Sequence, residues 1–325
     1  MYKLYLLYLI CCLVTFGSAR ADTPRYCVTK ITDGSQERTE TYALNNHGDV
    51  VGRMGDRAFL WRQGKLTFLE KLKGSHGNTA NDINDSGQIV GTASFGNWKR
   101  KYFFWQKGKT QDLGEAAALF GQARINNKGE ALLRVDGDQT MRAALWQNGK
   151  RKDLGAWWPW GINDHTQIVG SESFQYKRHH VIWAVTWEKG VTIEARGRDS
   201  VGTLINNKRS LVIVEWSLHT KGKQAVFLVE NGQRTAIIAP DDQRVAAAAI
   251  NDKSQIVGWV NSANDKSRAF LWQSKQFLDL NECIPADSGW MLTQALDINE
   301  KGQIVGSGTH NGVICAFLLT PLSQN

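Results

Sequence analysis

The sequence predicts an all-β fold, a seven-bladed β-propeller of four-stranded antiparallel blades. Three observations carry that prediction. A short phrase built on Ile-Asn or Leu-Asn recurs seven times along the chain. A second apolar phrase follows each copy, with Trp at one slot in five of the units. The last unit also lacks a strand that the N-terminal part of the chain can supply.

The first phrase reads "INDSGQIVG" from Ile83, "INDHTQIVG" from Ile162, "INDKSQIVG" from Ile250 and "INEKGQIVG" from Ile298. Looser copies begin at Leu44, Ile125 and Ile205. The seven Asn residues are 39, 42, 37, 43, 45 and 48 positions apart, a period that points to a propeller or another repeat array. Within the first unit, "TYALN" is a strand, "NHG" a tight turn, "DVVGRM" a second strand, "AFLWR" a third and "KLTFLE" a fourth. The runs are short, rich in β-branched and aromatic residues, and bounded by Gly, Asn and Asp. Several are apolar without alternation, as expected of strands buried on both faces in a blade stacked between two others. The repeated phrase is thus the hairpin from the innermost strand to the next. Its Asn can bond nearby backbone, and its Gly can take a positive φ. Thr166, Arg209 and Ser254 stand where the other units have Gly, so that requirement is not strict.

The second phrase appears as "AFLWRQGKLTFL", "YFFWQKGKTQDLG", "AALWQNGKRKDLG" and "AFLWQSKQFLDL". Trp61, Trp105, Trp146, Trp187 and Trp272 hold one slot, which Val229 and Leu319 fill in the remaining units. After "CAFLLTPLSQN" no fourth strand follows, whereas "RYCVTKITDG" precedes the first repeat. Tyr26 to Thr32 is therefore expected to pair with Cys315 to Thr320, which joins the first and last blades and covers an exposed sheet edge. In that register Cys27 lies opposite Thr320, and Cys315 lies near Ile31 or just beyond it. A Cys27–Cys315 bridge is then disfavoured. Free thiols are the expected state, and if a bridge forms, Cys283 with Cys315 is the better candidate pair.

The N-terminus reads as a signal peptide, residues 1–21: Lys3, an apolar run of about 13 residues, and "ARA" ending at Ala21. That run is short of the roughly 20 helical residues that span a bilayer. Residues 22–325 form the single propeller domain, expected to be secreted or periplasmic and monomeric. Loss of Lys3 and Arg20 lowers the formal charge from +8 to +6. A basic excess of this size favours anionic partners only where it clusters. Three cysteines outside the signal make no disulfide framework.

With its units aligned, the chain resembles the HAF-repeat family of predicted extracellular bacterial proteins. The family phrase is like "IN..G.IVG" followed by "HAFLW..G...DLG". The resemblance covers residues 26 to about 320. The family's His is absent here: Arg57, Lys101, Arg142 and Arg268 take its place in four units, and Trp183, Ala225 and Cys315 in the others. The resemblance implies secretion and a propeller-like fold, and it supplies no activity.

In such a fold the loops between second and third strands share one face with the links between blades. These segments vary most, and loops on a rigid scaffold commonly carry function. One holds Trp98, Lys99, Arg100 and Lys101; another holds Tyr176, Lys177 and Arg178; a third begins at Trp216. Among the links, "GAWWPWG" offers Trp157, Trp158 and Trp160, and "SGWM" offers Trp290. Trp beside Lys and Arg suits an acidic glycan or another anionic polymer, the ring stacking on a sugar while the cation meets its acid group. Packing of the Trp cluster and solvated loop charges are the competing readings, and a protein partner is the competing function. No metal-ligand spacing, Walker or dinucleotide loop, or GxSxG occurs, so neither cofactor nor resident metal is expected. Calcium would need a denser set of carboxylates than the "ND" turns provide. Asp82, Arg124 and Asp297 share the slot before Ile-Asn. A carboxylate pair there would suit a glycosidase, and an ion-paired channel lining explains it equally.

Overall fold

The computed structural model describes residues 26–32, 37–117, 121–137, 141–176, 179–189, 191–195, 199–216, 224–240, 243–261 and 267–322. The expected signal peptide and Lys177 and Arg178 lie outside the described residues. Seven four-stranded antiparallel sheets follow one another along the chain. The first six blades are built from consecutive strands, and each begins with its innermost: Thr39–Leu44, Gly77–Ile83, Arg124–Ile125, Trp158–Ile162, Asp199–Ile205 and Arg244–Ile250. Blade 7 takes three strands from the C-terminal part, beginning with Trp290–Ile298, and its outermost from Tyr26–Ile31.

The closing register is the expected one. Cys27 faces Thr320 and Ile31 faces Ala316, which puts Cys315 one residue beyond. Cys27, Cys283 and Cys315 are free thiols, the expected state, and the candidate pair Cys283–Cys315 is not a bridge. Cys283 lies within an apolar cluster with Phe317 and Leu292, and burial pushes its thiol up to about 11. A 3-10 turn at Leu280–Cys283 is N-capped by the Asp279 carboxylate. Among the described residues, no helix is long and apolar enough to cross a membrane.

The core lies between blades. Trp61, Phe59 and Val50 of blade 1 pack against Ile31, Val305 and Leu318 of blade 7. Leu132 and Ala143 of blade 3 pack against Ile168 and Trp187 of blade 4. Both sheet faces are thereby apolar, which is why the strands do not alternate.

Two backbone details shape the blades. Six of the seven innermost strands shift register at the same place, two residues before the recurring Ile or Leu, at Tyr42, Asn81, Trp160, Thr203, Ala248 and Leu296. A bulge inserts one residue and re-aims its side chain. Opposite this feature stands the last Gly of "IVG". A Cβ on Gly52, Gly91, Gly258 or Gly306 would lie 2.0–2.1 Å from a backbone oxygen of the inner strand. Blade 5 reverses the arrangement, with Ile213 facing Gly202 across the ladder.

At the turn position Gly itself is dispensable, as expected, but its backbone conformation is not. Gly48, Gly87, Gly129 and Gly302 have φ of 70–82°, and Thr166, Arg209 and Ser254 have φ of 56–65°. The left-handed conformation is kept in every copy. Where Gly is absent, the side chain reaches a carboxylate of the preceding blade: Thr166 bonds Glu130 at 2.7 Å, Arg209 bonds Glu188 at 3.0 Å, and Ser254 bonds Glu230. That contact offsets the strain of a non-Gly residue in this region.

Candidate functional site

The repeated Asn closes one end of the propeller. Each Asn Oδ1 accepts from backbone N–H groups of its own turn, as Asn45 does from His47 and Asp49, both at 3.0 Å. Each Nδ2 donates to the Asn carbonyl of the next blade. The seven bonds run Asn45 to Asn84, Asn126, Asn163, Asn206, Asn251, Asn299 and back to Asn45, at 2.9–3.2 Å. The following residues form a second closed circle. The backbone N–H of Asn46 donates to Asp85, Asp85 to Asn127, Asn127 to Asp164, Asp164 to Asn207, Asn207 to Asp252, Asp252 to Glu300 and Glu300 to Asn46, at 2.7–2.9 Å. Both circles surround a shallow depression of about 170 Å3 on the axis. The sequence reading allowed this face little room for a site. The depression has polar walls, and their groups are largely engaged with one another.

Deeper in the channel, Asp82 accepts from Ile83 and Ile125 N–H, each at 2.9 Å. Asp297 accepts from Ile298 and Leu44 N–H, also at 2.9 Å. Each carboxylate thus links its blade to the next. Burial raises both above the usual carboxylate range, Asp297 to about 7, with the Asp82 charge adding to the effect on Asp297 and Arg124 opposing it. Both oxygens of each acid are occupied by backbone donors, an arrangement suited to holding the ring rather than to transferring protons.

The loop-rich face is the opposite end, where the second-to-third loops and the links between blades lie. Trp98 stands in a tight loop closed by bonds between Phe95 and Lys99 and between Lys99 and Gly96, both 3.0 Å. Gly96, Asn97 and Trp98 all have positive φ, and Trp98 is 83% exposed. Lys99 is exposed and Arg100 half-buried. Lys101 is committed to Asp112 at 2.8 Å and lies 5.6 Å from the Phe95 ring. Trp216 is 37% exposed at the end of a strand.

Other candidates are structural or lie apart. Trp157 is 4% exposed, packs with Ile168 and Trp187, and donates to Leu154 O at 3.0 Å. Trp158 is half-buried in the inner strand of blade 4. Trp160 lies at the bulge of that strand, with the Arg134 guanidinium 4.1 Å above its ring. Burial lowers Arg134 to about 10. Trp290 stacks on His310 at 4.9 Å and meets Phe317 edge-on. Tyr176 ends a strand of blade 4.

The sequence reading missed a cleft of about 370 Å3 between blades 1, 2 and 3, which opens on the loop-rich face. Its walls include Tyr42, Arg53, Asn78, Asn81 and Arg100. Tyr42 and Asn81 are bulge residues, so the same irregularity brings both to the cleft. Arg53 is held by Glu40 at 2.9 Å, and Tyr42 donates to Glu40 at 2.7 Å. Among the described residues, no group of His, Cys, Asp and Glu is placed to hold a metal.

This architecture defines the chain as a seven-bladed β-propeller with a closed polar ring at one end and variable loops at the other. No family model and no curated protein matches the sequence. Solved structures similar to it include the β-propeller domain of the trilobed protease from Pyrococcus furiosus, reported to have an open velcro topology. That likeness has a TM-score of 0.66 at 11% identity and covers 89% of this chain and 99% of that one. The U3-55K structure is similar at TM-score 0.58 and 11% identity, with 92% and 100% covered. Pyrococcus horikoshii acylaminoacyl peptidase is similar at TM-score 0.57 and 11% identity, with 88% of this chain but 52% of the peptidase covered. At such identities the likeness establishes the propeller fold.

Proposed function

We propose that the protein is a secreted or periplasmic binding module that recognises an acidic glycan or another anionic surface polymer through its loop-rich face. One observation carries this reading. The most exposed large apolar residue among those described, Trp98, stands beside Lys99 and Arg100. An indole can cover a sugar face while adjacent cations meet carboxylate or sulfate. The formal charge of +6 expected after loss of Lys3 and Arg20, and the resemblance to HAF-repeat proteins, support the partner's charge and the location. The test is retention on immobilised heparin at two salt concentrations. Salt-sensitive retention that Trp98→Ala with Lys99→Ala abolishes is the expected result. Retention unaffected by both substitutions overturns the reading.

A protein-interaction scaffold is the second reading, and a specific observation favours it. Ile182, Ile238, Met291, Val313 and Ile314 are 43–70% exposed, and all lie toward the loop-rich end of their blades. Exposed apolar groups gathered at one end suit a protein partner. Retention by protein partners, with none by polyanions, would favour it.

A further inference from the structure

The cleft between blades 1, 2 and 3 contains two side-chain amides, each with one buried polar atom that has no partner. Asn78 is 3% exposed and Asn81 is 9% exposed. Asn78 Oδ1 accepts from Ala58 N–H at 2.7 Å, which fixes the orientation of the amide and leaves Nδ2 without a partner. Asn81 Oδ1 also has no partner. A buried amide group without a partner loses its water hydrogen bonds with nothing in return, so two at one wall call for an explanation.

Blade 5 shows that the fold does not require them. Ser200 occupies the position of Asn78, and its hydroxyl accepts from Ala184 N–H at 3.1 Å, the equivalent of the Ala58 bond. Serine performs the structural task with a hydroxyl whose single O–H can rotate toward a nearby acceptor, so it leaves no fixed amide donor at the wall. Asparagine adds a free N–H pair at the cleft wall. The cleft volume of about 370 Å3 lies at the small end of the roughly 300–1,000 Å3 typical of ligand pockets. Of the charged groups at the walls, Arg53 is engaged by Glu40 and Asp56 by Lys71. Arg100 has no carboxylate partner among the described residues, so it supplies the uncompensated positive charge.

We propose that this cleft binds one acidic sugar unit. The Asn78 and Asn81 amides hydrogen-bond its hydroxyls, and the Arg100 guanidinium meets its carboxylate. A hydroxyl both donates and accepts, so it can satisfy the Asn78 Nδ2 donor and the Asn81 Oδ1 acceptor. The proposal rests on the glycan reading for the chemistry of the ligand and on the cleft alone for its place.

The experiment is saturation-transfer NMR and calorimetric titration of the purified protein with methyl β-D-glucuronide, beside methyl β-D-glucoside and heparin. The glucuronide is expected to bind more tightly than the glucoside. Asn78→Ser with Asn81→Ala should weaken glucuronide binding at least tenfold, and Arg100→Gln should erase the preference over glucoside. Serine keeps the Ala58 bond, and thermal midpoints check that each variant folds. Glucuronide binding unchanged by these substitutions overturns the proposal. Heparin retention without glucuronide binding overturns the cleft but leaves the Trp98 loop reading intact. Binding of neither overturns both.

Discussion

Asn299 donates its side-chain amide to the backbone carbonyl of Asn45 across 3.0 Å, although 254 residues separate them. This bond completes a circle in which every blade holds the next by the same atom pair. The same Asn also anchors its own turn through Oδ1. One residue type therefore fixes the local hairpin and the contact between neighbours.

Replacing one member tests that dual role. Asn126 is 4% exposed, bonds Glu130 and Asn163, and accepts from two turn N–H groups. Asn126→Ala leaves those buried groups unpaired. Urea denaturation should show a loss of about 2–4 kcal/mol, more than a single exposed hydrogen bond contributes.

The closing strand gives a second expectation. Ile31 is fully buried against blade 1, and Tyr26 is 2% exposed. Ile31→Ala should cost about 2–4 kcal/mol by leaving a cavity. Deleting Tyr26–Ile31 uncovers the edge formed by Ala316, Phe317 and Leu318. Size-exclusion chromatography should then show oligomers, because a bare apolar edge recruits another strand.

The glycine opposite the bulge allows a sharp contrast. A Cβ on Gly258 would lie 2.0 Å from Ala246 O, whereas one on Gly108 meets nothing within 4 Å. Gly258→Ala must displace backbone and should lower the thermal midpoint by more than 10 °C or prevent folding. Gly108→Ala suffers only from its φ of 84° and should cost about 1 kcal/mol.

The channel acids predict a pH dependence. Asp297 titrates near 7 in the fold, above an unfolded value of roughly 4. Stability from its protonated form is complete below pH of about 4 and is lost as pH rises through 7. Asp49, held below the usual range by Arg62 and Asn45, acts with the opposite sign at lower pH. The difference between the wild type and Asp297→Asn isolates the term. Relative to the variant, wild-type stability should decline between pH 4 and 7 in denaturation curves taken at each pH.

The sequence by itself determined the number of blades, the order of strands and the register at Cys27 and Thr320. Each of these follows from a local phrase repeated at a regular interval, or from counting along two strands. It did not reveal that Asn84 reaches Asn126, because a bond between units 42 residues apart leaves no mark within either unit. Nor did it separate Trp157, packed between blades, from Trp98, standing in solvent, since both are Trp in a variable segment. Tyr42, Asn78, Asn81 and Arg100 carry no shared motif. Only the radial stacking of blades 1, 2 and 3 brings them to one cleft, because the spacing between blades is set by side chains packed across the interface.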